Sequence, residues 1–173
     1  MARDTRYFAY GSNINLDQMA HRCPDASVMG PVTLENYELL FRRGGFATIA
    51  PKEGGRVHGL LWSLTPECER SLDRYEGFPR FYDKRMVNVR DSEGRSLSVM
   101  AYIMDERFRE PMLPSGTYYN GILEGYQQNG LPVAALKEAK DHAVQEVRQE
   151  MESINASFAG YTRTPKRRNG HER

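Results

Sequence analysis

Short apolar runs bounded by turn residues fill the first two thirds of the chain, and three- and four-residue apolar steps fill the last third. Arg6-Tyr7-Phe8-Ala9-Tyr10 is aromatic and ends at Gly11-Ser12-Asn13, the pattern of a strand entering a turn. Asn15 then caps a short helix to about Arg22, with Leu16, Met19 and Ala20 on its apolar face. Residues 26–42 read as extended, and residues 46–50 as another short strand after Gly44-Gly45. Residues 57–64 form an apolar run interrupted by Gly59, suited to a strand buried on both faces. Thr65-Pro66 opens a helix, with proline at the position where its missing N–H costs nothing, and Gly77 closes it after Tyr75 or Glu76. Two strands, about 81–90 and 95–104, flank the hairpin loop Asp91-Ser92-Glu93-Gly94. Pro114-Ser115 starts a helix that stops near Asn129-Gly130. Pro132 opens a longer one to about residue 154, in which Leu136, Ala139, Ala143, Val147, Met151 and Ile154 recur at helical steps. Strands followed by helices predict an α+β fold: a small mixed β-barrel flanked by helices, in a single domain over residues 1–160. The apolar pattern ends at Gly160, so residues 161–173 read as a basic, flexible tail.

Composition narrows the class. The 173 residues are one domain's worth, and 24 Lys+Arg against 23 Asp+Glu leave a net charge of +1. No global basic field is available to nucleic acid, and no apolar run reaches the roughly 20 residues that span a bilayer. With a mean hydropathy of −0.68 and no hydrophobic signal region, a soluble cytoplasmic protein is expected, without nucleic-acid or membrane partner. Lys166-Arg167-Arg168, with Arg163 and Arg173, could touch an anionic surface, but a short basic end is the pattern of a solvated terminus. Cys23 and Cys68 are too few for a disulfide framework or a four-ligand zinc site, and His21, His58, His142 and His171 lack metal-ligand spacing. No metal is expected. The long helix could pack on its own barrel or on a second subunit, leaving monomer and homodimer open.

Two features could carry chemistry. Tyr10-Gly11-Ser12-Asn13 joins a strand to a helix start through glycine, leaving backbone N–H groups aligned for an anion or a developing oxyanion. An ordinary tight turn has the same composition. Glu76 sits at a helix C-terminus between Tyr75 and Gly77-Phe78. There the helix dipole and aromatic desolvation both raise a carboxyl pKa toward that of a general base. Spacing alone does not select it over Glu67, Glu69 or Asp73 on the same helix. Ser12 lacks the nucleophile-elbow pattern, and neither cysteine has a context that would lower a thiol pKa. Tyr102 and Tyr118 are polar aromatics, and taken singly each reads better as a core tyrosine than as a site residue.

These segments together resemble the gamma-glutamylcyclotransferase-like (AIG2-like) family. The resemblance rests on Tyr7-Phe8-Ala9-Tyr10-Gly11-Ser12-Asn13, Gly44-Gly45-Phe46-Ala47-Thr48-Ile49, Val57-His58-Gly59-Leu60-Leu61-Trp62 and Leu72-Asp73-Arg74-Tyr75-Glu76-Gly77. Pro114-Ser115-Gly116-Thr117-Tyr118 and Asn129-Gly130-Leu131-Pro132 extend it, in order, from about residue 6 to 136. Val133-Ala134-Ala135 lacks the tyrosine often found there, and the basic tail is outside the shared pattern. The resemblance implies a barrel flanked by helices and an enzyme that releases 5-oxoproline from a small gamma-glutamyl substrate without a cofactor. It further implies that Glu76 is the catalytic acid/base and that Tyr10, Gly11, Ser12 and Asn13 bind the glutamyl unit, with Tyr118 and Tyr102 lining the cavity. A cyclotransferase acting on a gamma-glutamylamine or a protected natural product, or a non-catalytic binding module, would share the scaffold.

Overall fold

The computed structural model describes residues 2–161. Thr5–Ala9 forms the first strand (β1), and after a single 3-10 turn at Ser12–Ile14 comes helix α1, Leu16–Arg22. Strands β2 (Ser27–Arg42) and β3 (Phe46–Leu64) make a long hairpin, followed by α2 (Pro66–Glu76), β4 (Tyr82–Arg90) and β5 (Ser96–Met104). Helices α3 (Gly116–Gln128) and α4 (Val133–Tyr161) complete the chain. The strands close into a barrel in the order β1-β3-β2-β4-β5. All neighbours are antiparallel except β1 and β5, which pair in parallel at Tyr7↔Met100 and shut the barrel. The expected mixed barrel flanked by helices is therefore the observed fold.

Closure gives the chain one apolar core. Phe8, Phe41, Leu60, Leu64, Val89 and Ala101 of the strands join Ile14, Met19, Leu72, Ile122 and Leu136 from the turn and helices in a single buried cluster. The ends of α2 follow from local chemistry. Thr65 Oγ1 accepts from Cys68 N at 3.2 Å, and Gly77 adopts φ 65°, the left-handed conformation that closes a helix readily only with glycine. That stop fixes Glu76 as the last residue of the helix.

Two expectations need correction. The strands read at 46–50 and 57–64 are parts of one strand, β3. The intervening Pro51-Lys52-Glu53-Gly54 is exposed, so it lacks the apolar alternation by which a strand is recognised. An irregularity in β2 bends the hairpin there: Asn36 takes φ 61° and accepts from Gly54 N at 3.1 Å. Secondly, α4 continues to Tyr161, well past residue 154. Leu136 and Ala143 are buried on the body, and Arg42 of β2 grips Glu146 with two bonds of 3.1 and 3.0 Å. Met151 and Ile154 continue the helical spacing but are 60% and 50% exposed, so their periodicity marks a helix face and not a core. Of the tail expected over residues 161–173, Tyr161 is the last residue of α4, and the rest, including Lys166-Arg167-Arg168, lies outside the described residues.

The turn after β1 is clamped from both sides. Trp62 Nε1 of β3 donates to Asn13 O at 3.0 Å. From α3, Gln128 Oε1 accepts from Leu16 N at 2.8 Å and Asn129 Nδ2 donates to Ile14 O at 3.0 Å, while Asn15 Nδ2 donates back to Gly121 O at 2.9 Å. Gly125 permits this close approach: a Cβ there would lie 2.8 Å from Asn15 N and 2.9 Å from Ile14 C. Gly125→Ala is therefore expected to destabilise the protein by about 1–3 kcal/mol through overpacking against backbone. Gly116→Ala, in the first turn of α3 with open space around it, should instead be neutral or stabilising by a few tenths of a kcal/mol. Urea unfolding midpoints of the two variants read the opposite signs.

Candidate active site

The clamped turn, the C-terminal end of α2 and the first turn of α3 converge on a pocket of about 150 Å³. Six tyrosines line it (Tyr7, Tyr10, Tyr75, Tyr82, Tyr102 and Tyr118), with Phe46 and Phe81 among its other walls. Glu76 is the one carboxylate in that lining. The geometry separates the four acidic residues of α2 where spacing could not. Glu69 and Asp73 both accept from Lys84 Nζ, at 2.8 and 3.0 Å, on the far side of Tyr102, and Glu67 pairs with Arg70 on the exposed surface.

Asn13 connects the turn to the acid. Its Nδ2 donates both to Glu76 Oε1 at 3.2 Å and to Tyr7 Oη at 3.0 Å, while its Oδ1 accepts from Arg22 Nη1 at 2.9 Å. Burial lifts the Glu76 carboxyl from its ordinary 4.5 to about 7, against the opposing pull of the Arg22 charge and the Asn13 hydrogen bond. The residue as a whole is half-buried, while its carboxyl is taken out of water in the pocket wall. An acid poised near neutrality can both take and return a proton.

The other expected site residues surround this pair. The 3-10 turn uses Ile14 N and Asn15 N for its own bonds, to Gly11 O and Ser12 O at 3.1 Å each. The preceding amides of Ser12 and Asn13 stand outside that ladder, as the first donors of any helical turn must. Ser12 Oγ lies 3.3 Å from Tyr75 Oη. Tyr118, whose backbone N–H is capped by Ser115 Oγ, accepts from Ala47 N at 3.0 Å, so that bond leaves its own hydroxyl proton to donate. Tyr102 also lines the pocket, while its hydroxyl donates to Asp73 Oδ1 at 2.6 Å and not to Glu76 or Asn13. Tyr10 likewise donates outward, to Tyr102 O.

Sequence reasoning did not single out Tyr7, Tyr75, Tyr82 or Arg22 as site residues. Tyr82 Oη donates to Ala47 O at 2.6 Å and Arg22 stacks on Tyr75, its Cζ 4.0 Å from the ring centroid. Tyr7 lay inside a quoted motif and Tyr75 beside the candidate acid, so adjacency could have flagged both. Nothing in the spacing ties Arg22 to Asn13.

Other chemistries find little purchase. Both cysteines are buried, and burial pushes the Cys23 thiol up to about 12, far from a reactive thiolate. Among the described residues no cluster of three His, Cys, Asp or Glu side chains could hold a metal ion, and no helix is long and apolar enough to cross a membrane.

Residues 7–120 match the family described as gamma-glutamyl cyclotransferase, AIG2-like. The chain belongs to that family. The gamma-glutamylcyclotransferases of Homo sapiens and Bos taurus are each 32% identical to it over 138 residues, 73% of this chain and 72% of theirs. A solved gamma-glutamyl cyclotransferase structure matches with a TM-score of 0.72 and 30% identity, covering 79% of this chain and 86% of that one. Family membership gives the two conformationally constrained segments, the turn and the end of α2, a shared setting: the matched region spans both and ends within α3, just beyond Tyr118.

The raised pKa has a consequence for stability. Unfolded Glu76 ionises near its ordinary value and folded Glu76 near 7, so the folded state binds more protons between these limits. Its contribution is present at low pH and is lost as pH rises through that window. Glu76→Gln should therefore be more stable than the parent at pH 8, by on the order of 1–3 kcal/mol, with the difference largely gone at pH 5. Thermal melts of both proteins at the two pH values measure this.

Proposed function

We propose that the chain is a gamma-glutamyl cyclotransferase that converts a small gamma-glutamyl amino acid or amine into 5-oxoproline and the free amine, with Glu76 as acid/base. The observation that carries this reading is a single carboxyl, poised near neutral pH, joined through Asn13 to a turn with spare backbone donors. A gamma-glutamyl compound holds its α-amine within reach of its own γ-carbonyl. Glu76 takes a proton from that amine, and the nitrogen attacks the carbonyl carbon to close a five-membered ring. The amides of Ser12 and Asn13 face the resulting oxyanion, charge that fixed donors stabilise without reorganising. Protonated Glu76 then returns its proton to the departing nitrogen as the old C–N bond breaks. No water is consumed.

Positioning accounts for much of the acceleration, since well-oriented ring closures reach effective molarities of about 10⁵–10⁸ M. The pocket, of about 150 Å³, is of a size to take the glutamyl portion and leaves the departing amine toward the mouth. There Phe46 and Tyr75 are 41% and 48% exposed, an aromatic rim for the leaving group. Residues 1–160 comprise the catalytic unit in this reading, which needs no macromolecular partner and is suited to the cytoplasm.

Incubation with gamma-glutamyl-alanine, followed by mass spectrometry of 5-oxoproline, tests the reaction. Glu76→Gln keeps the shape and removes the base, so kcat should fall by about 10²–10⁴. In the parent, kcat should rise with pH through about 7, as Glu76 ionises, and this limb should vanish in the variant. Turnover by Glu76→Gln at the parent rate would sink the assignment.

A further inference from the structure

Arg22, the last residue of α1, turns its side chain back toward the turn that carries Ser12 and Asn13. Nη1 donates to Asn13 Oδ1 at 2.9 Å and reaches Ser12 Oγ at 3.5 Å, and Nη2 donates to Gln18 Oε1 at 2.8 Å. The guanidinium plane lies over the ring of Tyr75, and Ser71 Oγ of α2 donates to Arg22 O at 2.9 Å, so main chain and side chain are both tied down.

The amide of Asn13 has two ends of opposite polarity. With Nδ2 forked between Tyr7 Oη and Glu76 Oε1, it supports the carboxylate. Turned over, it would aim its own oxygen at that carboxylate. Arginine is a donor only, so the turned-over amide would also face the guanidinium with its NH₂ group, donor against donor. We infer that Arg22 is a positioning residue for the cyclisation, locking the Asn13 amide so that it holds one oxygen of Glu76 and leaves the other free to take the amine proton. The inference rests on the reading of Glu76 as the base.

Charge adds a second handle. Tyr7 of β1, Tyr10 just after it, Tyr82 of β4, Tyr102 of β5 and Tyr118 of α3 all lie within electrostatic reach of the Glu76 carboxyl, and burial holds each above the usual phenol range, so they stay neutral. Asp73, one turn back on α2, is matched by Lys84 at 2.8 Å. Arg22 is left, among the described residues, as the charge that favours ionised Glu76. Its removal should move the acid limb to higher pH.

The experiment measures kcat and KM for gamma-glutamyl-alanine across that limb in Arg22→Gln, Arg22→Lys and Gln18→Ala, with Glu76→Gln alongside. Arg22→Gln should shift the limb up by about one pH unit and lower kcat at pH 7 by roughly 10–100-fold, the deficit shrinking at higher pH, with KM changed less than about threefold. Arg22→Lys keeps the charge without the planar fork. Its limb should stay near the parent's while kcat falls by about 5–10-fold, a split that a merely structural role would not give. Gln18→Ala removes one guanidinium partner outside the pocket lining and should lower kcat in the same direction by a smaller factor. It stands in for Arg22→Gln should that variant fail to fold, and a parental kcat and limb in Gln18→Ala would then overturn the inference. So would Arg22→Gln with parental kcat and limb, or with only KM raised, which would make Arg22 a direct substrate contact. If those results came with an inactive Glu76→Gln, the inference would fall and the base assignment stand. A fully active Glu76→Gln would remove both.

Discussion

The hydrogen bond from Asn13 Nδ2 to Glu76 Oε1 joins two points 63 residues apart in sequence, and both residues stand in the wall of the pocket. A carboxylate taken out of water must find partners or stay protonated. Here it finds one donor and one nearby positive charge, enough to hold its pKa near neutrality and no lower. The barrel brings β1 beside β3, Trp62 of β3 anchors the turn that carries Asn13, and the glycine stop of α2 ends the helix with its acid facing that turn.

The phenols make this balance possible. A wall of six tyrosines is apolar enough to desolvate a carboxyl and still offers hydroxyls where a ligand needs them. Tyr10, Tyr82 and Tyr102 donate their protons outward, to Tyr102 O, Ala47 O and Asp73, which fixes their rings. Tyr7 and Tyr118 accept from Asn13 Nδ2 and Ala47 N, bonds that do not use their own protons. The wall is thus divided between hydroxyls that hold the pocket's shape and hydroxyls with a donor to spare.

What the sequence made legible was local chemistry. Thr65-Pro66 and Gly77 bound α2 because capping depends on neighbours a few residues away, and both ends lie where that chemistry puts them. The continuity of β3 was hidden, since exposed Pro51-Lys52-Glu53-Gly54 carries no buried face to announce a strand. Met151 and Ile154 misled in the opposite way: helical spacing reports a face, and whether anything covers it is a tertiary fact. The same limit applied at the site. Glu76, Asp73, Glu69 and Glu67 were equivalent by position until Lys84, arriving from β4, took up two of them. Family resemblance selected Glu76 from sequence; pattern alone did not. Arg22 was out of reach, because its link to Asn13 depends on how α1 folds back across the turn.

Helix α2 shows how a fold can tolerate a carboxyl that resists ionisation. Its first half is secured by the Thr65 cap and by Thr5 Oγ1 donating to Glu69 at 2.7 Å, and Lys84 ties Glu69 to Asp73, one turn before the acid. Its C-terminal end carries Glu76 against both the helix dipole and burial. A helix fixed at one end can hold a strained group at the other without fraying, because Leu72 is buried between them and Gly77 closes the last carbonyls. Moving Glu76 one turn outward would lower its pKa and relieve that cost. It would also take the carboxyl away from Asn13 and the turn, and the proton transfer proposed here would have no partner. In the proposed reaction the unfavourable placement and the chemistry are the same feature, and the over-secured first half of the helix is what sustains it.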